Sequence, residues 1–160
     1  MNLVYFFGNF YMIPIFKERA CNGCSACCEG ALHVQAHGHA FWKGRPCHFL
    51  GKNCCTIYEN RPDDPCKSFK CGYLIFEWMP EWMRPDLSGV IVTSRITEKN
   101  KIPYIEVVES QGKMKAEVLS FLFMSYMNGQ LKNFTYQIDG GVNRIGGNDF
   151  LAEFSSIKVL

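Results

Sequence analysis

The stretch CNGCSACCEG, residues 21–30, sets four cysteines, Cys21, Cys24, Cys27 and Cys28, inside eight positions. Free thiols commonly serve as core filler, but filler is scattered. This set is two C-x-x-C steps that share a cysteine and end in a vicinal pair. Five more cysteines follow at Cys47, Cys54, Cys55, Cys66 and Cys71, so that all nine, with all four histidines, fall between residues 21 and 79. Soft thiolates select zinc, copper(I) or iron–sulfur centres. A C-x-x-C step is short enough for one turn to aim two sulfurs at a single ion, with backbone N–H groups supporting the sulfurs.

A disulfide framework is the competing use of dense cysteines, and it belongs to exported chains with an even set. The opening run MNLVYFFGNFYMIPIF is apolar and uncharged, yet it lacks the basic start and small-residue cleavage site of an export signal. It is also shorter than the roughly 20 residues of a membrane span. It reads as a buried or pairing strand, with a partner-facing or membrane-surface segment as the alternative, and the chain as cytoplasmic, where thiols stay reduced and available as ligands. A net charge of +2 counts every thiol as neutral; thiolates on divalent ions would make the sum acidic. The slight basicity therefore gives no argument for a nucleic-acid partner.

Geometry limits how the thiols are shared. Adjacent residues direct their Cβ atoms apart, so Cys27 and Cys28 are expected to serve different ions, or one of them to bridge two. Four thiols complete one tetrahedral site and eight complete two. The leading cluster must then be joined by cysteines from later in the chain, stapling a region poor in regular structure. A structural zinc contributes about 10–16 kcal/mol of linked folding free energy, as much as the whole stability of a typical domain.

The ordered combination C-x-x-C-x-x-C-C, C-x-F-L, C-x-I-Y-E-x-R-P and C-x-x-F-x-C resembles the YkgJ-type cysteine-cluster family, a zinc- or iron-chelating CxxCxxCC domain. The likeness runs from Cys21 to Cys71, about a third of the chain. It implies metal ligation by Cys21, Cys24, Cys27, Cys28, Cys47, Cys55, Cys66 and Cys71, with Ile57, Tyr58, Glu59, Arg61 and Pro62 in the accompanying motif. The pattern has one cysteine before I-Y-E where this chain has two, which makes Cys55 the preferred ligand and Cys54 the spare. His48 stands where the pattern often has proline and is a candidate auxiliary ligand. One relative, a flagellin lysine N-methylase, couples such a cluster to methyl transfer, but the likeness here covers the cluster alone.

Zinc and iron both remain open. Cys21, Cys24 and Cys27 begin like a ferredoxin run, but the x₃-C-P continuation is missing. Other motifs are weaker. His33 and His37 would share a face only on a helix, and no glutamate follows His33 to make H-E-x-x-H; with His39 they read as solvated loop histidines, with a weak accessory or open metal position as the alternative. Arg61 suits neutralising a thiolate site, with a substrate anion as the alternative. Asp63 and Asp64 are adjacent rather than opposed, which does not suit acid–base catalysis. IDGGVNRIGG matches no phosphate loop and reads as turn glycines. The basic snippets KGR and KSFK, with Phe69 between lysines, are the only base for nucleic-acid contact.

Residues 80–160 carry no cysteine or histidine and read as conventional packing. SGVIVTSRIT and IPYIEVVES are β-branched runs around the polar EKNK, a hairpin. KMKAEVLSFLFMSYMNG reads as a helix terminated at Gly129 and apolar enough to be covered on both faces. FTYQI is a further strand, and Asn148 an N-cap for a short helix followed by a final strand. The expectation is a single α+β domain over residues 1–160, in which an irregular metal-stapled region (21–79) packs on a hairpin, strands and helix (80–160). It is expected to bind metal ions, zinc or iron, iron–sulfur included, and to be a binding protein before an enzyme. The alternatives are an iron–sulfur enzyme, methyltransferase-related or redox, and a zinc module on nucleic acid.

Overall fold

Two adjacent residues with positive φ, His37 at 45° and Gly38 at 80°, form the two-residue turn that matches the right-handed twist of paired strands. They join β1 (Val34–Ala36) to β2 (His39–Phe41), antiparallel with Ala36 opposite His39. The computed structural model describes residues 19–21, 23–52, 54–110, 114–138 and 140–155. The strand expected in residues 1–16 and the one expected after residue 155 lie outside the described residues.

Around this hairpin the cysteine region is built from turns. Kinked helical turns occupy Cys27–Ala31 and Asp63–Lys67, a single turn covers Tyr58–Asn60, and α1 (Gly72–Ile75) follows Cys71 directly. Gly30 has φ 99°, and a Cβ there would lie 2.2 Å from the carbonyl oxygen of Trp42. Only glycine allows the two backbones to cross so closely. Gly72 has the same role toward the sheet, since its Cβ would meet Cγ1 of Val92 at 2.7 Å. Arg19 clasps the end of α1, donating to the carbonyls of Tyr73, Phe76, Glu77 and Met79 at 2.6–3.1 Å.

A turn over Glu81–Met83 and α2 (Pro85–Ser88), closed by Gly89 at φ 76°, lead into the main sheet. Its order is β3 (Val90–Ile96), β4 (Pro103–Glu109), β5 (Phe134–Ile138), β6 (Gly141–Ile145). β3 and β4 pair antiparallel from Val90 opposite Glu109 to Ile96 opposite Pro103, the hairpin expected from the β-branched runs. β4 and β5 are parallel, which requires a crossover; α3 (Ala116–Met127) supplies it. β6 pairs antiparallel with β5. It occupies residues that read as turn glycines because Gly140 and Gly141 dominate the local composition. β6 is exposed over most of its length, so it lacks the buried alternation that marks a strand in sequence.

α3 ends in a Schellman motif, with Gly129 N–H donating to Tyr126 O and Gln130 N–H to Ser125 O, both at 3.0 Å. Val118 and Leu122 face a core with Met79, Met83, Val90, Val92, Ile105, Val107, Leu131 and Phe134. The helix is not covered on both faces as expected: Met124 is 59% and Met127 75% exposed, because the sheet supplies a partner on one side. α4 (Asn148–Ser155) begins at Asn148 itself, and its buried Phe150 packs on Tyr104. The architecture is α+β, with the cysteine region seated by α1 against β3, Gly72 facing Val92. No helix among the described residues is long and apolar enough to cross a membrane.

Candidate metal centre

All nine cysteines line one cavity of 440 Å³, and all nine are free thiols. Its walls are apolar and aromatic, among them Leu32, Phe41, Phe49, Phe69 and Leu74, with Arg61, Tyr73 and Arg84 supplying polarity. Inside it the thiols divide by their electrostatic neighbours. Cys27 faces Cys71, Cys24 and Cys21, besides its chain neighbour Cys28. Cys28 faces Cys47, Cys55 and Cys66, and its thiol hydrogen-bonds to that of Cys47. Cys66 in turn faces Cys47 and Cys55, and both Cys71 and Cys24 face Cys21. The result is two sets of four, Cys21–Cys24–Cys27–Cys71 and Cys28–Cys47–Cys55–Cys66.

Local backbone explains the division. Cys24 N–H donates to Cys21 O at 2.8 Å and Cys28 N–H to Ser25 O at 2.8 Å, so the first C-x-x-C step and the Ser25–Cys28 segment after it are tight turns. The turn that starts at Cys27 rotates the vicinal side chains apart. Cys47 N–H donates to Cys28 O at 2.7 Å, tying the second loop to the first. Leu50 and Cys55 form an isolated β-bridge, which turns Cys55 inward and leaves Cys54 exposed. Cys54 lines the cavity but is exposed, and it is not among the principal electrostatic neighbours of Cys27, Cys28 or Cys66.

The sulfurs have the polar support that thiolates need. Cys24 accepts from the N–H groups of Ala26 and Asp86, and Cys71 from its own N–H and those of Tyr73 and Leu74. Burial, and then the neighbouring sulfurs, push the Cys27 thiol well above its ordinary range and that of Cys28 up to about 12. Cys66 is raised for the same reasons, with Arg61 opposing. The Arg61 guanidinium lies 3.8 Å over the Tyr58 ring, and its Nε is buried without a hydrogen-bond partner among the described residues. Beside the first set, Arg84 donates to both oxygens of Asp86 at 2.6 and 2.9 Å and holds that carboxyl below its usual range. Nothing in the sequence linked Arg84 or Asp86 to the cysteines; only chain folding brings them there.

The donor chemistry fits two soft ions: eight sulfurs in two sets, apolar walls, and N–H groups aimed at sulfur. Among the described residues no three histidine, cysteine or acidic side chains already stand in the arrangement of a closed ion site. The sulfurs share a cavity rather than a finished coordination sphere.

The remaining candidates are used locally. His33 packs on Trp42, and His37 occupies the β1–β2 turn rather than a helix. His48 is exposed and outside the cavity lining, so it is not placed among the thiols. Asp63 pairs with Lys67 at 3.0 Å and Asp64 accepts from Ser68 at 2.9 Å. Lys43 pairs with Glu109 at 3.7 Å, and Phe69 lines the cavity instead of offering a face for a base. What fold and site define together is an α+β domain with a nine-cysteine cavity. No family model, curated protein or solved structure matches the chain.

Proposed function

We propose that this protein is a metal-binding cysteine-cluster protein that holds two soft ions, zinc or iron, through eight thiolates, and that the metal is mainly structural. The observation that carries the reading is the partition of the sulfurs into two sets of four, with Cys27 in one and Cys28 in the other. Cys21, Cys24, Cys27 and Cys71 would hold one ion, and Cys28, Cys47, Cys55 and Cys66 the other. Eight protein sulfurs leave no ligand position for substrate, which suits a structural role rather than catalysis. The likeness to the YkgJ-type cluster supports the same ligands, and a reducing cytoplasm suits free thiols.

Anaerobic purification with elemental analysis and an absorption spectrum tests this. Two zinc ions per chain in a colourless protein, or sulfur-ligated iron in a brown one, is the expected result. A folded protein that carries no metal when purified anaerobically, or one whose cysteines are joined as disulfides, overturns it.

A second reading rests on the size of the cavity. Its 440 Å³ falls within the range of small-molecule pockets, which favours an iron–sulfur centre that works on a bound substrate. An iron position with exchangeable water would select this reading over the first.

A further inference from the structure

One cation on the wall of the thiol cavity is left unpaired. Arg61 lines the cavity with its guanidinium 3.8 Å over the Tyr58 ring, and its Nε–H is buried without an acceptor among the described residues. Three carboxylates, Glu59, Asp63 and Asp64, lie within three residues of it in the chain. Among the described residues none of them pairs with it: Asp63 is taken by Lys67 at 3.0 Å and Asp64 by the Ser68 hydroxyl at 2.9 Å. Buried N–H donors in folded proteins are almost always met, and the neighbour of Arg61 in the cavity is the Cys66 sulfur. Arg61 also joins the turn Tyr58–Asn60, which follows Cys55, to the turn Asp63–Lys67, which carries Cys66. It therefore stands in the chain between two thiols of the second set.

We infer that Arg61 is the positioning residue of the second sulfur set, its Nε–H donating to the Cys66 thiolate and its charge offsetting the thiolates around that ion. This rests on the two-ion reading above. Groups that hydrogen-bond to a metal ligand fix its orientation and tune the ion, and a guanidinium stays charged whatever surrounds it. The two sets are supported differently. In the first, backbone N–H groups point at Cys24 and Cys71, and the nearby Arg84 is already committed to Asp86 and Glu81. In the second, the principal neighbours of Cys28 and Cys66 are other sulfurs and, at Cys66, Arg61 and Asp64. A ligand anion is a poor alternative partner for Arg61, because eight thiolates around two divalent ions leave the cavity strongly negative. The second ion thus depends on one side chain where the first depends on the backbone.

The test loads the full reduced chain with Zn²⁺ anaerobically and competes each equivalent against EDTA at equilibrium. Brief alkylation and mass spectrometry then mark the thiols that have been freed. In Arg61→Gln one equivalent is expected to bind about 10–100-fold more weakly than in the parent, the range for losing a group that supports a metal ligand. The thiols freed with it should be Cys28, Cys47, Cys55 and Cys66, while the other equivalent keeps its parent affinity. Equal weakening of both equivalents marks a merely structural role and overturns the inference. Arg61→Lys keeps a cation without the Nε–H and should weaken the same equivalent by a smaller factor; it decides the matter if Arg61→Gln does not fold. Parent-like affinity for both equivalents in the folded variants overturns this inference alone, whereas a parent that takes up no Zn²⁺ overturns the two-ion reading with it.

Discussion

Cys27 and Cys28 are joined by one peptide bond, yet their thiols keep different company: Cys27 lies with Cys71, Cys24 and Cys21, and Cys28 with Cys47, Cys55 and Cys66. On the reading proposed above, each is the link between the leading turn and a separate later segment of chain.

Cys27→Ser and Cys28→Ser should therefore each lower the metal content by one ion and spare the other set. Elemental analysis per folded chain, with limited proteolysis, checks this. Loss of both ions from either variant would indicate one bridged centre instead. Complete chelation should collapse residues 21–79, because the free energy of a thiolate site, about 10–16 kcal/mol in small zinc domains, exceeds what these short turns and three-residue strands supply.

Cys54 and Cys55 offer a closer comparison. Cys55 is held inward by its bridge to Leu50, and Cys54 is exposed. Cys54→Ser should leave metal content unchanged and change stability by less than about 0.5 kcal/mol, the range for surface substitutions. Cys55→Ser should cost one ion. Alkylation under native conditions should mark Cys54 first.

The buried thiols set a pH dependence in the metal-free chain, in the folded fraction that chelation leaves. Their folded-state values lie above those of the unfolded chain, with Cys28 near 12. Above about pH 8.5, where unfolded cysteine ionises, the folded state holds more protons than the unfolded one. Stability then falls as pH rises. The minor fraction of reduced, metal-free protein in which residues 21–79 stay folded, read by resistance to limited proteolysis, should be smaller at pH 10 than at pH 8. Metal binding has the opposite sign: it requires thiolates, so acid releases the ions.

Gly30 bears on the backbone crossing that brings the first cysteine turn against Trp42. Gly30→Ala should destabilise by at least about 1–3 kcal/mol from the positive φ alone, and further because its Cβ would strike a carbonyl at 2.2 Å. Gly23, also at positive φ but with open space around it, serves as the control, and Gly23→Ala should show the backbone penalty only. Chemical denaturation of the metal-loaded proteins measures both.

The local chemistry of this protein was legible in its residues. The density of C-x-x-C steps pointed to sulfurs gathered in one place, the divergence of adjacent Cβ atoms to different neighbours for Cys27 and Cys28, and β-branched runs and Gly129 marked the hairpin and the end of α3. These follow from short-range sterics and hydrophobic periodicity, which a sequence carries directly. The grouping of Cys71 with the leading turn, the approach of Asp86 to Cys24, and the stack of His39 on His48 belong to the tertiary structure alone. Each depends on chain crossings between distant segments, above all Gly30 against Trp42 and Gly72 against Val92, and no local spacing encodes where such crossings fall. β6 was hidden for a related reason: it is an exposed edge strand, recognisable only by its pairing with β5.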